Sequence, residues 1–403
     1  MAIAASFAMV IGSGLLTGTA GVLMKPICED LGFSRGTYSL TRTVISMVSI
    51  FFVPFIRKLI PKIGANKVLL IGAVSIALTN LLYTVFPKIW QFFIISAIQG
   101  VFTNALSLFV AANYINAWFK DSIGTATAIA YAGTGLGNSL FSPIINSIIE
   151  ATSWRTAYLV TSVTAIVVLV PVLLFFMNDR PESVGLEKYT SNKKKETKQT
   201  LVAKPSDADY SMYEIRRMPS FYMLIIAFVL MSLFNNGPWA HTIAFLSDTG
   251  YSTSAATAMN SFYLIMLTVG KLVMGVMFDR LGRKLTVSIV SVLIILAPLA
   301  ALFINIPGAV WIYCICLGFT GGTYTVGLNL VLGDIFGHRS FGDVLSVFTM
   351  ITSFTGAFAS PFMGTIFDIT GSYRLSYMIF LVMAVISVSF ILYTSFRKKA
   401  VKE

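Results

Sequence analysis

Hydropathy is the property of this sequence that most restricts its fold. A helix needs about 20 consecutive apolar residues to cross a bilayer, and the chain contains twelve segments of that kind. We therefore predict an all-α integral membrane protein with twelve transmembrane helices, at residues 3–24, 38–58, 67–86, 90–117, 122–149, 154–177, 218–247, 254–278, 284–304, 308–333, 341–367 and 374–396.

The composition agrees with this class. The 403 residues are 56% hydrophobic and 11% charged, whereas a soluble domain carries about 25% charged residues. The net charge of +12 could suggest a nucleic-acid partner, but the positive-inside bias of membrane proteins explains it better. We expect membrane lipid and a small solute as partners, and no nucleic acid.

The distribution of Lys and Arg predicts the orientation in the membrane. With a cytoplasmic N-terminus, inside segments carry 22 Lys and Arg, outside segments carry five, and two lie within spans. Short loops rich in Lys and Arg stay on the cytoplasmic side. We therefore expect a cell membrane protein with both termini in the cytoplasm. The first span has no basic residues before it and eleven spans after it, so it is predicted as a helix and not as a signal peptide.

The two halves of the chain repeat each other. LGFS at residues 31–34 returns as TGYS at 249–252, and Ser-Pro at 142–143 returns at 360–361, each 218 residues later. Six helices per half make this a parallel repeat. We predict two six-helix bundles, 1–177 and 218–403, around a central cavity and joined by a cytoplasmic linker at 178–217. The NKKKETK run at 192–198 is typical of such a solvated linker.

No pattern of a metal or nucleotide site is present. The three cysteines, Cys28, Cys314 and Cys316, form neither a disulfide framework nor a ligand set. The glycine-rich run at 133–137 lacks the strand–helix context of a nucleotide loop, so we assign it to close helix packing. We expect no cofactor, no metal and no enzymatic activity.

Two cations fall inside predicted spans. Lys271 lies about 12 Å of helix before the polar end of the eighth span, and an ionisable group at such depth indicates a functional site. The alternative is a lysine that snorkels towards the interface. Arg42 lies about one turn from the outer end of the second span, so an interfacial arginine is its stronger alternative. No Asp or Glu lies in the middle of a span, and a cavity with isolated cations suits an anionic substrate.

The seventh span carries three further candidates. His241 has an imidazole that titrates near neutrality, so it could carry a coupling proton or bind substrate, or it could be a packing histidine. Asn236 precedes Pro238, and proline removes a backbone donor and disrupts helices. Such broken helices often mark substrate sites or gating bends. Other polar groups could face the cavity or bond between helices: Tyr131, Tyr324 and Asn329, with Asn104, Asn113 and Asn138.

The stretch GVMFDRLGRK after the eighth span matches the pattern G-x-x-x-D-R-x-G-R-R/K. This is the loop signature of major facilitator superfamily transporters, and the matching residues are Gly275, Asp279, Arg280, Gly282, Arg283 and Lys284. The resemblance implies the major facilitator fold. It also implies a latch in which Asp279 caps the start of helix 5 and pairs with Arg283 while the cytoplasmic side is closed. The first-half copy is degenerate, because Pro61 stands where Asp279 would be.

Nearly the whole chain resembles the branch of monocarboxylate-transporter-like and oxalate–formate-antiporter-like proteins. The resemblance is carried by the segments at 113–137 and 241–262 and by the G-[R/K]-x-x-x-G pattern that contains Lys271. In that branch the cation of this pattern binds the substrate carboxylate. Here it is a lysine in place of the commoner arginine. The second cation of oxalate-type relatives is absent, because Thr352 and Ser353 occupy its region.

These observations predict a monomeric secondary transporter that moves a small organic anion, such as a monocarboxylate, by rocker-switch alternating access. A coupling proton or a counter-anion would drive it. Lys271 would hold the carboxylate, and His241, Arg42, Asn236, Tyr131, Tyr324 and Asn329 would complete the site. The latch and gating residues would be Asp279, Arg280, Arg283, Gly275, Gly282 and Pro238. One alternative is an efflux carrier for amphiphilic compounds, and another is a transport-incompetent sensor on the same fold.

Overall fold

The computed structural model describes residues 2–119, 123–178, 181, 185, 210–337 and 339–396. Eleven helices in these residues are long and apolar enough to cross a membrane, and Ile123–Ala151 fills the place of the fifth predicted span. In chain order α1–α12 are Ile3–Leu31, Arg35–Ile63, Ala65–Val85, Ile89–Leu106, Ile123–Ala151, Trp154–Phe176, Pro219–Asp248, Thr253–Phe278, Arg280–Leu302, Ala309–Phe336, Phe341–Thr370 and Arg374–Phe396. The predicted all-α fold class is confirmed. The linker run at 192–198 lies outside the described residues.

Several of these helices are irregular. α1 includes a π-helical stretch at Val10–Leu15, and α10 includes another at Thr323–Gly327. After α4, the backbone of Ser107 is extended and the chain continues as the short helix Leu108–Trp118. π-Helical turns are rare and often occur at functional sites, which makes the stretch in α10 of interest below.

The internal repeat has a physical basis in helix capping. Gly32 ends α1 with a φ of 68°, and Gly250 follows α7 with a φ of 103°, a region that favours glycine. Two residues later, the Ser34 hydroxyl accepts from Thr37 N at 3.2 Å, and the Ser252 hydroxyl accepts from Ala255 N at 3.2 Å. A serine cap satisfies a free amide at a helix start. The repeated Gly-x-Ser motif therefore ends one helix and begins the next.

The described residues group into two compact units. One comprises Met1–Glu196 with Thr242–Ser261, and the other comprises Thr197–His241 with Phe262–Glu403. The last turn of α7 and the first third of α8 thus belong to the first unit.

Glycines bring helix backbones into direct contact within each unit. In the first unit, a Cβ added to Gly14 of α1 would lie 2.5 Å from Gly137 Cα of α5. In the second unit, a Cβ on Gly318 of α10 would lie 2.7 Å from the backbone of Met266 and Leu267 in α8. Small residues allow this close approach in membrane helices, and the structure confirms the packing role predicted for the glycine run at 133–137.

Candidate functional site

Lys271 lies where α8 touches α10. A Cβ added to Gly322 of α10 would be 2.6 Å from Gly270 C and 2.8 Å from Lys271 N. This backbone contact fixes the position of Lys271 relative to α10, while the lysine side chain itself is exposed. The ammonium group is therefore available to a solute, and its main chain is held by a contact with no slack.

Three polar side chains form what we call the Tyr324 cluster: Asn236 of α7, Tyr324 of α10 and Thr352 of α11. The Tyr324 hydroxyl is hydrogen-bonded to both Asn236 and Thr352. Tyr324 lies in the π-helical stretch of α10, two residues after the glycine that touches α8. The sequence analysis named Asn236 and Tyr324 as site candidates but treated Thr352 only as the replacement for a cation. The structure brings all three together.

The cluster is held by a second layer of hydrogen bonds. The Asn236 amide donates to Ser232 O at 2.8 Å, and the Thr352 hydroxyl donates to Phe348 O at 2.7 Å. Ser232 also shares a 2.8 Å hydrogen bond with the Thr355 hydroxyl. These bonds fix the side chains of α7 and α11 on either side of Tyr324. The arrangement can therefore offer an oriented hydroxyl and amide to a ligand with little loss of conformational entropy.

His241 is fully buried and has partners at both ring nitrogens. Nδ1 is 2.9 Å from the Tyr373 hydroxyl, and Nε2 is 3.0 Å from the Ser360 carbonyl and 3.1 Å from its hydroxyl. A carbonyl only accepts, so we assign the proton to Nε2, and Nδ1 accepts from Tyr373. The imidazole thus joins α7 to α11 and to the start of α12. This is the satisfied packing environment that the sequence left as one alternative, and a role in proton coupling stays a prediction.

The expectation that Pro238 breaks the seventh helix is wrong. α7 runs without interruption from Pro219 to Asp248, with Pro238 inside it. Proline removes one N–H, and neighbouring elements can compensate for that loss in a membrane helix. The chain is irregular elsewhere, at Ser107 after α4 and at Phe358 inside α11. The predicted gating role of Pro238 stays a prediction.

The signature loop after α8 makes its described contacts inside the second unit. Arg283 forms an ion pair with Asp334 at the end of α10 and donates to Ser395 O of α12 at 3.1 Å. It therefore joins the ends of two helices to the loop. The sequence analysis missed Asp334, although a carboxylate at the polar end of a span was a visible signal.

The other residues of the signature are placed as follows. Gly282 turns the chain with a φ of 73°, Arg280 is exposed, and a Cβ on Gly275 would meet no atom within 4 Å. The side chain of Asp279 lies outside the part of the structure that is described, so the latch stays a prediction.

The remaining candidates lie apart from the Tyr324 cluster or cannot be placed. Arg42 lies in the first unit, half-buried, and donates to Thr17 O at 3.5 Å. Asn329 is exposed, and its amide donates to Thr325 O at 3.3 Å within α10. The side chain of Tyr131 is outside the described part.

A second group of charges, also missed from the sequence, lies at helix ends in the first unit. Asp248 closes α7 and accepts from Lys25 Nζ at 2.9 Å and from Arg35 NH1 at 2.5 Å. We call these three residues the Asp248 triad. The residue 218 positions earlier is Asp30, which instead accepts from Trp154 Nε1 at 2.9 Å and from Arg155 at 2.7 Å. Equivalent carboxylates of the repeat thus have different partners, and the repeat spacing was the signal that pointed to them.

Comparison with known proteins places this geometry in a family. The model of the Major Facilitator Superfamily matches residues 6–267 and 234–403. The uncharacterized MFS-type transporter YcxA of Bacillus subtilis is 23% identical over 379 residues, which is 92% of this chain and 88% of that protein. Monocarboxylate transporter 12 of Xenopus laevis is 22% identical over 70% of this chain and 64% of its own length.

Two further comparisons agree with these matches. The oxalate:formate antiporter of Oxalobacter formigenes is 24% identical over 58% of this chain and 54% of its own length. Among solved structures, a mutant of the nucleoside transporter NupG has the same fold, with a TM-score of 0.75, 15% identity and coverage of 98% of this chain and 99% of that one. The relatives are transporters and not enzymes, and they include the branch predicted from the sequence. The chain therefore belongs to the Major Facilitator Superfamily of multi-pass membrane transporters.

Proposed function

We propose that this transporter carries a small organic anion of the monocarboxylate class by alternating access, with Lys271 as the group that binds the carboxylate. The observation that carries the proposal is the exposed ammonium of Lys271 on α8, at the backbone contact with the helix that bears Tyr324. A cation at this depth of an apolar span is costly without an anion nearby. A substrate carboxylate would reduce that cost each time it binds.

The Tyr324 cluster would contact the rest of the substrate. A hydroxyl and an amide can bond to a carboxylate oxygen or to a neighbouring hydroxyl or keto group, and the surrounding apolar wall would accept a short carbon chain. Lysine binds as a point charge without the forked geometry of arginine. We therefore infer that substrate shape is selected by the polar cluster and charge by Lys271. The names of the monocarboxylate transporters and of the oxalate:formate antiporter support an anionic cargo.

The remaining parts of the proposal follow from the sequence. Basic loops support cytoplasmic termini in the cell membrane, and the repeat supports bundles at 1–177 and 218–403. A proton or a counter-anion would drive uphill transport, because no nucleotide-binding motif is present in the sequence.

The test is counterflow in proteoliposomes against a panel of labelled compounds: short monocarboxylates, a dicarboxylate, a nucleoside and an amphiphilic cation. We expect exchange of a monocarboxylate by the wild type, loss of it in Lys271→Gln, and partial retention in Lys271→Arg, which keeps the charge. Lys62→Gln is the matched control, because Lys62 is an exposed lysine in the last turn of α2. Exchange at the wild-type rate by Lys271→Gln, or selective transport of the cation, would contradict the proposal.

A further inference from the structure

A small polar cavity lies among the helices of the first unit, around Arg42. It encloses about 30 Å³ and is walled by residues of α1, α2, α3, α4 and α6. Its polar lining includes the hydroxyls of Tyr38, Tyr83 and Tyr158 and the amides of Asn80 and Gln99. None of its walls comes from the second unit, so it is separate from the Lys271 site.

The charge of this cavity has one sign. Arg42 is the one charged residue among those that line it, and no carboxylate is among them. The described contact of its guanidinium is a long hydrogen bond of 3.5 Å to Thr17 O. A guanidinium offers five N–H donors and no acceptor. The cavity therefore favours an anion and disfavours a cation.

The amides add further donors, because their acceptors are already used. Asn80 donates to Leu16 O at 3.1 Å and accepts from Gln99 Nε2 at 2.9 Å. Gln99 Oε1 accepts from the Tyr83 hydroxyl at 3.5 Å. Each amide nitrogen carries two N–H groups, and these contacts use one of them. This chain of bonds fixes the amides so that their remaining donors are left for a ligand.

The size of the cavity limits what that ligand can be. A buried water needs about 10–15 Å³ measured in this way, so the cavity has room for about two waters. An organic acid with a carbon chain is too large, whereas a halide ion is little larger than a water molecule. Volume, charge sign and donor surplus agree on the same chemical class.

We propose that this cavity is a binding site for a small monovalent inorganic anion of halide size, with Arg42, Asn80 and Gln99 as its donors. The site goes beyond the proposed function and does not depend on it. The bound ion compensates the charge of Arg42 and joins five helices of the first unit, so it stabilises that unit against unfolding.

The test is the thermal stability of the purified full-length protein at increasing chloride, with gluconate replacing chloride at constant ionic strength. Gluconate is too large for the cavity. A ligand that binds the folded state raises the melting temperature with a saturating dependence on its concentration. We expect such a rise in the wild type and its loss in Arg42→Gln. In Gln99→Met, which keeps the length of the side chain but removes its amide, we expect about a tenfold higher half-saturating concentration.

Lys271→Gln is the control that separates this site from the substrate site, and it should keep the full chloride response. If Arg42→Gln does not fold, Gln99→Met still tests the site, because the cavity proposal requires its response to be weaker. A wild type without a saturating chloride response would leave the cavity as a water site and overturn the proposal. An equal response in wild type, Arg42→Gln and Gln99→Met would overturn it too, and would show a non-specific salt effect only.

Discussion

The Asp248 triad should control how readily the predicted outer side of the transporter opens. Replacing Asp248 with Asn removes the charge that holds Lys25 and Arg35 but keeps the size of the side chain. If transport follows the proposed alternating access, helices α1 and α2 must part from the end of α7 when the outer side opens. Both ion pairs are then broken. The substitution should therefore favour the outward-open state.

The magnitude follows from the distances and the exposure of the triad. The pairs are 2.9 and 2.5 Å long, and the three side chains are 26%, 10% and 23% exposed for Lys25, Arg35 and Asp248. An exposed ion pair contributes about 0.2–1 kcal/mol, and a hydrogen bond to a charged group about 1.5–3 kcal/mol. Asparagine can keep one acceptor bond, so the net loss should be about 1–2 kcal/mol. That corresponds to a shift of about 5- to 30-fold in the ratio of the two states.

The assay is the labelling rate of a single cysteine by a membrane-impermeant reagent added outside. Thr257→Cys is a suitable reporter, because Thr257 of α8 is fully buried in this structure and would label only after opening. Cys28, Cys314 and Cys316 would first be replaced by serine or alanine. We expect the Asp248→Asn protein to label about 5- to 30-fold faster than its parent.

The matched control is Asp30→Asn, since Asp30 is the carboxylate at the same place in the other half. Its partners, Trp154 and Arg155, lie in the same predicted bundle, so its loss should lower stability without faster labelling. Equal labelling rates in Asp248→Asn, Asp30→Asn and the parent would refute the idea that the triad resists opening. The triad would then have a role in stability alone.

Two further predictions concern the second unit. If His241 carries a coupling proton, His241→Gln should flatten the pH dependence of net uptake between about pH 5 and 8 and spare substrate exchange, whereas an unchanged pH profile would leave His241 with its packing role. Gly322→Ala should lower the yield of folded protein, because the new Cβ would meet Gly270 C at 2.6 Å, at a cost of about 1–3 kcal/mol. Gly275→Ala is its control, with no atom within 4 Å of the new Cβ; similar yields from both glycine variants would contradict the close contact.

The helices were predictable because one physical quantity, apolar length, determines them. The predicted span at 341–367 and the observed Phe341–Thr370 begin at the same residue, and 154–177 and Trp154–Phe176 differ by one residue. Pro238 was harder, since its sequence signal is the same whether the helix breaks or continues. The outcome depends on the helices packed around it.

The side-chain partners of the candidate site were less predictable than its residues. Lys271 and Tyr324 could be chosen because a charge or a hydroxyl in an apolar helix is visible in the sequence. The pair of Arg283 with Asp334 could not, because the sequence near Arg283 offered the closer carboxylate of Asp279. Which carboxylate faces a given cation depends on the rotation of each helix about its own axis, and that rotation is set by contacts between distant segments.

The glycine contacts between helices have a consequence for experiments that measure tolerance to substitution across the whole chain. Every amino acid other than glycine has a Cβ, so any missense change in the codons of Gly14, Gly318 or Gly322 would place an atom inside the backbone of a neighbouring helix. These positions should score as intolerant for reasons of assembly, whatever the transporter carries. A mutational scan read without this structure would place the glycines beside Lys271 as candidates for the substrate site. Surface expression measured alongside uptake would separate the two groups.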